Sequence, residues 1–252
     1  MQSRPSKPST ATVRHGVARV ISKAGLCSRT QAADWVRAGR VAVNGRPVAD
    51  PEHPVRQGLD RVTVDGAPLG ARARVYLALN KPRGLVTTAR DERQRDTVYA
   101  CLEGSGLPWL APVGRLDQAS EGLLLLSNDP AWAAAITDPV QGIEKTYHVQ
   151  VDAIPDEALL QKLVVGVVDE GEALAARSAT LLRSGTRNAW LEIVLDEGRN
   201  RQIRRLLAAH GLGVLRLVRV AIGGVTLGDL PKGAWRELTA GEVSGLAPPT
   251  TG

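Results

Sequence analysis

An α+β chain in two parts is what the sequence predicts, on three observations. Apolar residues recur at helical spacing in some windows and alternate in others, without the regular strand-helix succession that builds a parallel sheet. No Gly-rich phosphate fingerprint follows a strand, which argues against a dinucleotide enzyme, and the isolated Gly223-Gly224 reads as a turn. A break at Pro68-Leu69-Gly70 separates a short, basic segment from a longer one. The expected layout is a disordered tail over 1–13, a first domain over 14–70, a second over 73–243 and a tail over 244–252.

In the first domain, Val17, Val20, Ile21 and Ala24 give a helical pattern that Gly25 stops. Ser28, with Gln31 three residues on, has the form of a capping box for a second helix, which runs to about Ala38 and ends at Gly39. Val41-Ala42-Val43, the pair Asn44-Gly45 and Arg46-Pro47-Val48 read as strand, tight turn and strand. A further strand, Arg61-Val62-Thr63-Val64, precedes Asp65-Gly66.

The second domain opens with a strand over 75–82, broken by Pro82 and followed by a loop at Arg83-Gly84. The charged segment 90–96 is an expected exposed loop ahead of a short helix over 97–102. Asp129-Pro130 caps and starts a helix through Trp132 and Ile136. Residues 145–151 alternate like a half-buried strand, and 155–163 offer an amphipathic helix. Strands follow over 176–183 and 189–195. Next comes a helix capped by Asn200 and closed by Gly211, with Ile203, Leu206 and Leu207 inward and Arg201 and Arg205 projecting together elsewhere. Residues 214–220 and Leu227 supply the last strands, and Thr239 with Glu242 caps a final turn.

Composition narrows the function. A 43% hydrophobic content over 252 residues supports a packed core, and +6 net charge with a pI near 9.7 favours a polyanionic partner. The charge is clustered: Arg14, Arg19, Lys23, Arg29, Arg37, Arg40 and Arg46 face only Asp34 between positions 14 and 46, a density suited to replacing phosphate counterions. Cys27 and Cys101 are far apart, and His15, His53, His148 and His210 show no pairing at ligand spacing, so neither a metal site nor a Cys-His nucleophile is supported. No metal and no cofactor are expected. With no apolar core in residues 1–13 and no run of about 18 apolar residues, a soluble, cytoplasmic chain without membrane contact is expected, and a monomer.

One stretch organises the rest. Gly114-Arg115-Leu116-Asp117 is a polar turn carrying an arginine and a carboxylate, and it runs through Gln118-Ala119-Ser120-Glu121-Gly122 into Leu123-Leu124-Leu125-Leu126. A carboxylate on a loop held by a rigid strand is a candidate nucleophile, although a lone Asp in a turn ordinarily serves as a cap. Tyr147 on its strand and Arg204 on its helix could each be purely structural.

The first segment resembles an S4-type RNA-binding domain, through Ala24-Gly25, Ser28-Arg29 and Gly39-Arg40-Val41-Ala42-Val43-Asn44-Gly45. Gly16 and Thr30 stand where such domains often carry a basic residue. The resemblance implies RNA contact through Arg19, Lys23, Arg29, Arg37, Arg40 and Arg46.

Gly114-Arg115-Leu116-Asp117, Lys145-Thr146-Tyr147 and Gly198-Arg199-Asn200-Arg201-Gln202-Ile203-Arg204-Arg205, with Leu217-Val218-Arg219-Val220-Ala221-Ile222-Gly223, resemble in chain order the motifs of pseudouridine synthases. The branch that acts on ribosomal RNA carries an S4-type domain in front. Gln118 replaces a longer side chain frequent in that family. The resemblance implies a mixed, mainly antiparallel catalytic sheet and isomerisation of a specific uridine in ribosomal RNA or an immature ribosomal subunit, without cofactor. It makes Asp117 the catalytic acid and Arg204 its basic partner, with Arg199 as the alternative. Tyr147 would stack on the base, Leu217 would pack beneath it, and Arg115 would enter the space left by the extruded nucleotide. Two other readings compete: a non-catalytic RNA-binding ribosome-assembly factor, and a carboxylate-dependent hydrolase, which is disfavoured because only Glu121 lies near Asp117.

Overall fold

The computed structural model describes residues 14–56, 58–70, 73–88 and 93–247. The tail expected over 1–13, the stretch from 248 onward and the start of the charged segment at 90–92 lie outside the described residues. The chain divides into two units, Met1–Ala73 and Arg74–Gly252.

In the first unit, β1 (Arg14–Gly16) leads into α1 (Val17–Lys23) and α2 (Arg29–Arg37). The Ser28 hydroxyl accepts the Gln31 N–H at 3.1 Å, which caps α2 as its spacing predicts. The strands β2 (Val41–Val43), β3 (Arg46–Pro47), β4 (Pro54–Arg56), β5 (Val62–Val64) and β6 (Ala67–Pro68) follow. Asn44-Gly45 and Asp65-Gly66 all take positive φ, the tight-turn geometry that joins β2 to β3 and β5 to β6 into a sheet of order β3-β2-β5-β6. Val41, Val43, Val62 and Val64 face Val17, Ile21, Ala32 and Val36 in one small core. The β1-β4 pair has no counterpart in the sequence reading, because a three-residue strand beginning at proline shows no alternation.

The second unit is built on β7 (Tyr76–Lys81), β8 (Ala111–Val113), β9 (Glu121–Ser127), α3 (Pro130–Thr137), β10 (Lys145–Val151), α4 (Glu157–Val165), β11 (Val167–Asp169), β12 (Glu172–Leu174), β13 (Ser178–Ser184), β14 (Ala189–Leu195), α5 (Gln202–Ala209), β15 (Val214–Ile222), β16 (Val225–Thr226), β17 (Trp235–Glu237) and α6 (Ala240–Leu246). Its main sheet runs β13-β14-β10-β15-β9-β7-β17, with β16 beside β15 and β8 beside β9. Every pairing in it is antiparallel except β15 with β9. The short helix expected over 97–102 is a 3-10 turn, Val98–Leu102.

Strand β9 explains the four-leucine run. Leu124 and Leu126 enter a core shared with Leu77, Leu79, Val149, Leu191 and the inner faces of α4 and α5, whereas Leu123 and Leu125 meet Trp132, Ile136, Val243 and Leu246 on the other side. A strand covered on both faces reads as a continuous apolar run. Two corrections and one omission follow. Helix α6 continues to Leu246, whose side chain is buried, so the second domain runs past residue 243 and no tail begins at 244. Helix α5 begins from Arg201, not Asn200: Arg201 takes a left-handed backbone (φ 49°, ψ 31°) and no side chain caps the helix. The β11-β12 hairpin and β17 are too short to leave a period in the sequence.

Candidate active site

The parallel contact between β15 and β9 is two pairs long, Val218 with Glu121 and Arg219 with Gly122. Gly122 has φ +99°, and a Cβ there would overlap the Arg219 carbonyl and amide, so the close approach requires glycine. This contact brings the loop before β9, which carries Asp117, against β10 and β15.

The loop is fastened from below. Lys81 is fully buried at the end of β7, and its Nζ donates to the carbonyls of Ser120 (2.8 Å), Asp117 (3.1 Å) and Pro82 (3.2 Å). Burial pushes this ammonium down to about 8, and Arg219 adds to the fall, while Asp117, Glu121 and Cys101 oppose it. The Thr87 hydroxyl donates to the Leu116 carbonyl at 2.7 Å and accepts its N–H at 3.3 Å. Gln118 Nε2 donates to the Gly84 carbonyl at 3.0 Å, and the Gly84 N–H returns a bond to the Gln118 carbonyl at 2.8 Å. Glu121 accepts from Arg216 (3.1 Å) and Lys232 (2.5 Å). Burial alone would raise its carboxyl, yet these two cations hold it below its ordinary range, which marks it as a structural acid.

Above the loop lies a cavity of about 540 Å³. All six residues singled out for chemistry line it: Arg115, Asp117, Tyr147, Arg199, Arg204 and Leu217. The Asp117 side chain is 38% exposed, whereas Tyr147 and Leu217 are buried at 9% and 6%. Arg115 is exposed and makes no ion pair among the described residues.

The cation beside Asp117 is Arg201, with Nη1 3.5 Å from Oδ2. This contact falls to Arg201, which was expected to project elsewhere with Arg205; Arg204 lines the same cavity and feels the Asp117 charge without an ion-pair contact among the described residues. Arg199 is held by Glu197 at 2.9 Å and Glu172 at 3.8 Å. Arg205 binds Asp169 and Glu172, each at 2.5 Å, and so ties α5 to the β11-β12 hairpin. Arg204 donates to the Ala119 carbonyl at 3.3 Å, and its buried Nε has no partner. Burial and the Arg201 charge hold its guanidinium below the ordinary value, with Asp117 pulling the other way. Gln202 fastens the segment that precedes α5: its Oε1 accepts the Arg199 N–H at 3.1 Å, and its Nε2 donates to Glu197 at 2.7 Å and to the Ala175 carbonyl at 3.1 Å.

Lys81 and Arg219 escape a reading by motif alone. The signal for Lys81 is a lysine closing an apolar strand directly before Pro82. Cys27 is buried, and burial pushes its thiol up to about 11, away from the thiolate that a nucleophile needs. No cluster of His, Cys, Asp or Glu that could hold a metal occurs among the described residues. Likewise, no helix among them is long and apolar enough to cross a membrane.

In the first unit, three of the six expected RNA-contact residues are paired: Arg29 with Glu52 (2.9 Å), Arg37 with Asp34 (3.2 Å) and Arg40 with Asp65 (2.5 Å). Arg40 also stacks over the Trp35 ring at 4.9 Å. Arg19, Lys23 and Arg46 have no ion pair among the described residues. His15 is held below its ordinary value by burial and then by Lys23 and Arg19.

Known proteins resemble this chain in both units. The RNA pseudouridylate synthase family model matches residues 75–209, and the S4 domain model matches residues 17–62. The chain is 36% identical over 231 residues to a ribosomal large subunit pseudouridine synthase B of Bacillus subtilis, covering 90% of this chain and 93% of that protein. It is 38% identical over 232 residues to an uncharacterized RNA pseudouridine synthase of Mycobacterium bovis, covering 90% and 91%. A crystal structure of a pseudouridylate synthase superposes with a TM-score of 0.64 at 30% identity, covering 93% of this chain and all of that one. A mixed sheet whose loops meet at Asp117, a basic unit of two helices and short strands ahead of it in the chain, and relatives matched over nine-tenths of their length lead to one assignment: the chain belongs to the RNA pseudouridylate synthase family and carries an S4 domain.

Proposed function

We propose that the protein isomerises a specific uridine of ribosomal RNA to pseudouridine, with Asp117 as the catalytic acid and the target nucleotide swung out of its helix. The observation that carries this reading is the meeting of Asp117, its Arg201 partner at 3.5 Å, Tyr147 and Leu217 in one cavity of about 540 Å³. That volume lies inside the roughly 300–1,000 Å³ typical of small-molecule sites.

The reaction breaks the bond between ribose C1′ and N1 of the base, turns the uracil and joins C1′ to C5. The C5 proton leaves and N1 gains one, so composition and oxidation state are unchanged. An ionised carboxylate serves as nucleophile or proton acceptor at the sugar or base, and the adjacent Arg201 guanidinium faces it as a counter-charge. Tyr147 offers a ring face for stacking the freed base, Leu217 forms the apolar floor, and Arg115 is free to fill the gap in the RNA. Extrusion is needed because the glycosidic carbon and the far edge of the base cannot both be reached in a stacked helix, at a cost of a few kcal/mol. The S4 unit would hold flanking RNA through its basic residues, Arg19, Lys23 and Arg46 foremost.

Mapping pseudouridines in ribosomal RNA from cells with and without the gene tests the substrate. Loss of a modified position, restored by the wild-type gene, is the expected result; an unchanged map would contradict it.

A further inference from the structure

Arg219 is a buried cation that none of the roles above uses. It is 5% exposed, lines the cavity, and donates from Nε to the Leu123 carbonyl at 2.8 Å. Its Nη2 is buried and has no hydrogen-bond partner, and no carboxylate lies within ion-pair distance among the described residues. A buried donor left unmade costs about 1–3 kcal/mol, more when charged, so a ligand oxygen at this point would relieve a standing penalty.

Register says which oxygen. Arg219 on β15 is the direct cross-strand partner of Tyr147 on β10, and Leu217 lies two residues before it on the same buried face. A base stacked on the Tyr147 ring, with Leu217 beneath, therefore presents its edge to the neighbouring guanidinium. Lys145, two residues before Tyr147, lines the same cavity, and its ammonium is held down by burial and by Arg219. Lys145 and Arg219 thus set two donors side by side, while Asp196 acts on Lys145 alone. Uracil presents two carbonyl oxygens there, whereas cytosine replaces one of them with an amino donor that a guanidinium repels.

We propose that Arg219 is a base-reading residue: its free Nη2 hydrogen-bonds a carbonyl oxygen of the flipped uracil and rejects cytosine. The inference rests on the uridine-isomerising reading. A backbone phosphate offers the same acceptor chemistry, but phosphates stay hydrated at the rim of a site, and Arg219 lies at its floor.

The test is a cycle with the full chain and a ribosomal RNA fragment that it modifies. The target uridine is replaced by 2-thiouridine or 4-thiouridine, whose sulfur accepts hydrogen bonds poorly, or is flanked by methylphosphonates in place of phosphates. Wild type should lose about 10- to 100-fold in kcat/KM on one of the two thio substrates. Arg219→Met should be slower on uridine yet lose nothing further on that same thio substrate, and Arg219→Lys should fall between. Losses that multiply across the cycle would make Arg219 structural and overturn the proposal. A cost relieved only with methylphosphonate would reassign the contact to phosphate and overturn it too. Should neither variant fold, a wild-type enzyme indifferent to both sulfur substitutions overturns it without them. If wild type converts no uridine in any ribosomal RNA, the isomerase reading itself fails, a result distinct from every outcome above.

Discussion

Nη1 of Arg201 stands 3.5 Å from Oδ2 of Asp117, and Arg201 reaches that position from a left-handed backbone at the start of α5. Few residues other than glycine and asparagine hold this conformation without strain. The chain therefore spends local stability to set a cation beside the carboxylate.

Arg201→Asn separates the two effects. Asparagine tolerates the left-handed backbone, and the pair is half exposed, so unfolding free energy should stay within about 0.5 kcal/mol of wild type. Pseudouridine formation should fall roughly 10- to 100-fold, because the carboxylate loses its neighbouring charge. Denaturant unfolding and single-turnover rates check the two halves.

Lys81 sets a pH limit. Its ammonium, pushed down to about 8 mainly by burial, donates to three carbonyls of the segments that hold Asp117. Below pH 8 the anchor is charged; above it a donor is lost, so kcat/KM should decline above about pH 8. Stability runs the opposite way. The folded value lies below the ordinary 10.5, so between pH 8 and 10.5 the unfolded chain holds more protons and this group's contribution to stability rises with pH. The destabilisation is fully present below pH 8. A pH-rate profile flat to pH 10 would exclude the anchor role, and Lys81→Met should remove the stability rise over that window.

Gly122→Ala tests the close approach of β9 to β15. The added Cβ meets the Arg219 backbone at a positive φ, so both overlap and strain oppose it. A loss of about 3 kcal/mol is expected, read from the shift in urea midpoint. Activity should fall further than stability alone explains, since Asp117 and Arg219 are both set by that contact.

The first unit predicts unequal arginines. Arg19→Gln and Lys23→Gln remove cations with no ion pair and should each reduce the slope of log affinity against log salt for RNA by about 0.7–0.9. Arg40→Gln removes one already bound to Asp65 and should change that slope less. Filter binding across a salt series distinguishes them.

The parts of this fold that repeat a period were legible in the sequence: the alternation of β10, the leucine run of β9, the Asn44-Gly45 turn and the Thr239 cap, whose reciprocal Glu242 bonds are present. The six chemistry-bearing residues share one cavity because their motifs sit at strand ends and on the start of a helix. What stayed hidden depends on long-range geometry. The motif resemblance assigns the basic partner of Asp117 to Arg204, whereas the left-handed turn at Arg201, which no local pattern announces, brings Arg201 within 3.5 Å of the carboxylate. The partners Glu52 and Asp65, which neutralise Arg29 and Arg40, lie outside the basic stretch and join it only through the fold. The lysine that closes β7 before Pro82 is visible locally, but what it holds is set by the fold, which ends β7 beneath Asp117.

The most direct test replaces one carboxylate oxygen. Asp117→Asn keeps the shape of a side chain that is 38% exposed, so the variant should fold with wild-type stability to within about 1 kcal/mol and bind RNA as before. It should form no pseudouridine in a ribosomal RNA that wild type modifies, even at enzyme concentrations above that of the RNA. A variant that still converts the uridine at a rate near wild type would show that the reaction does not pass through this carboxylate.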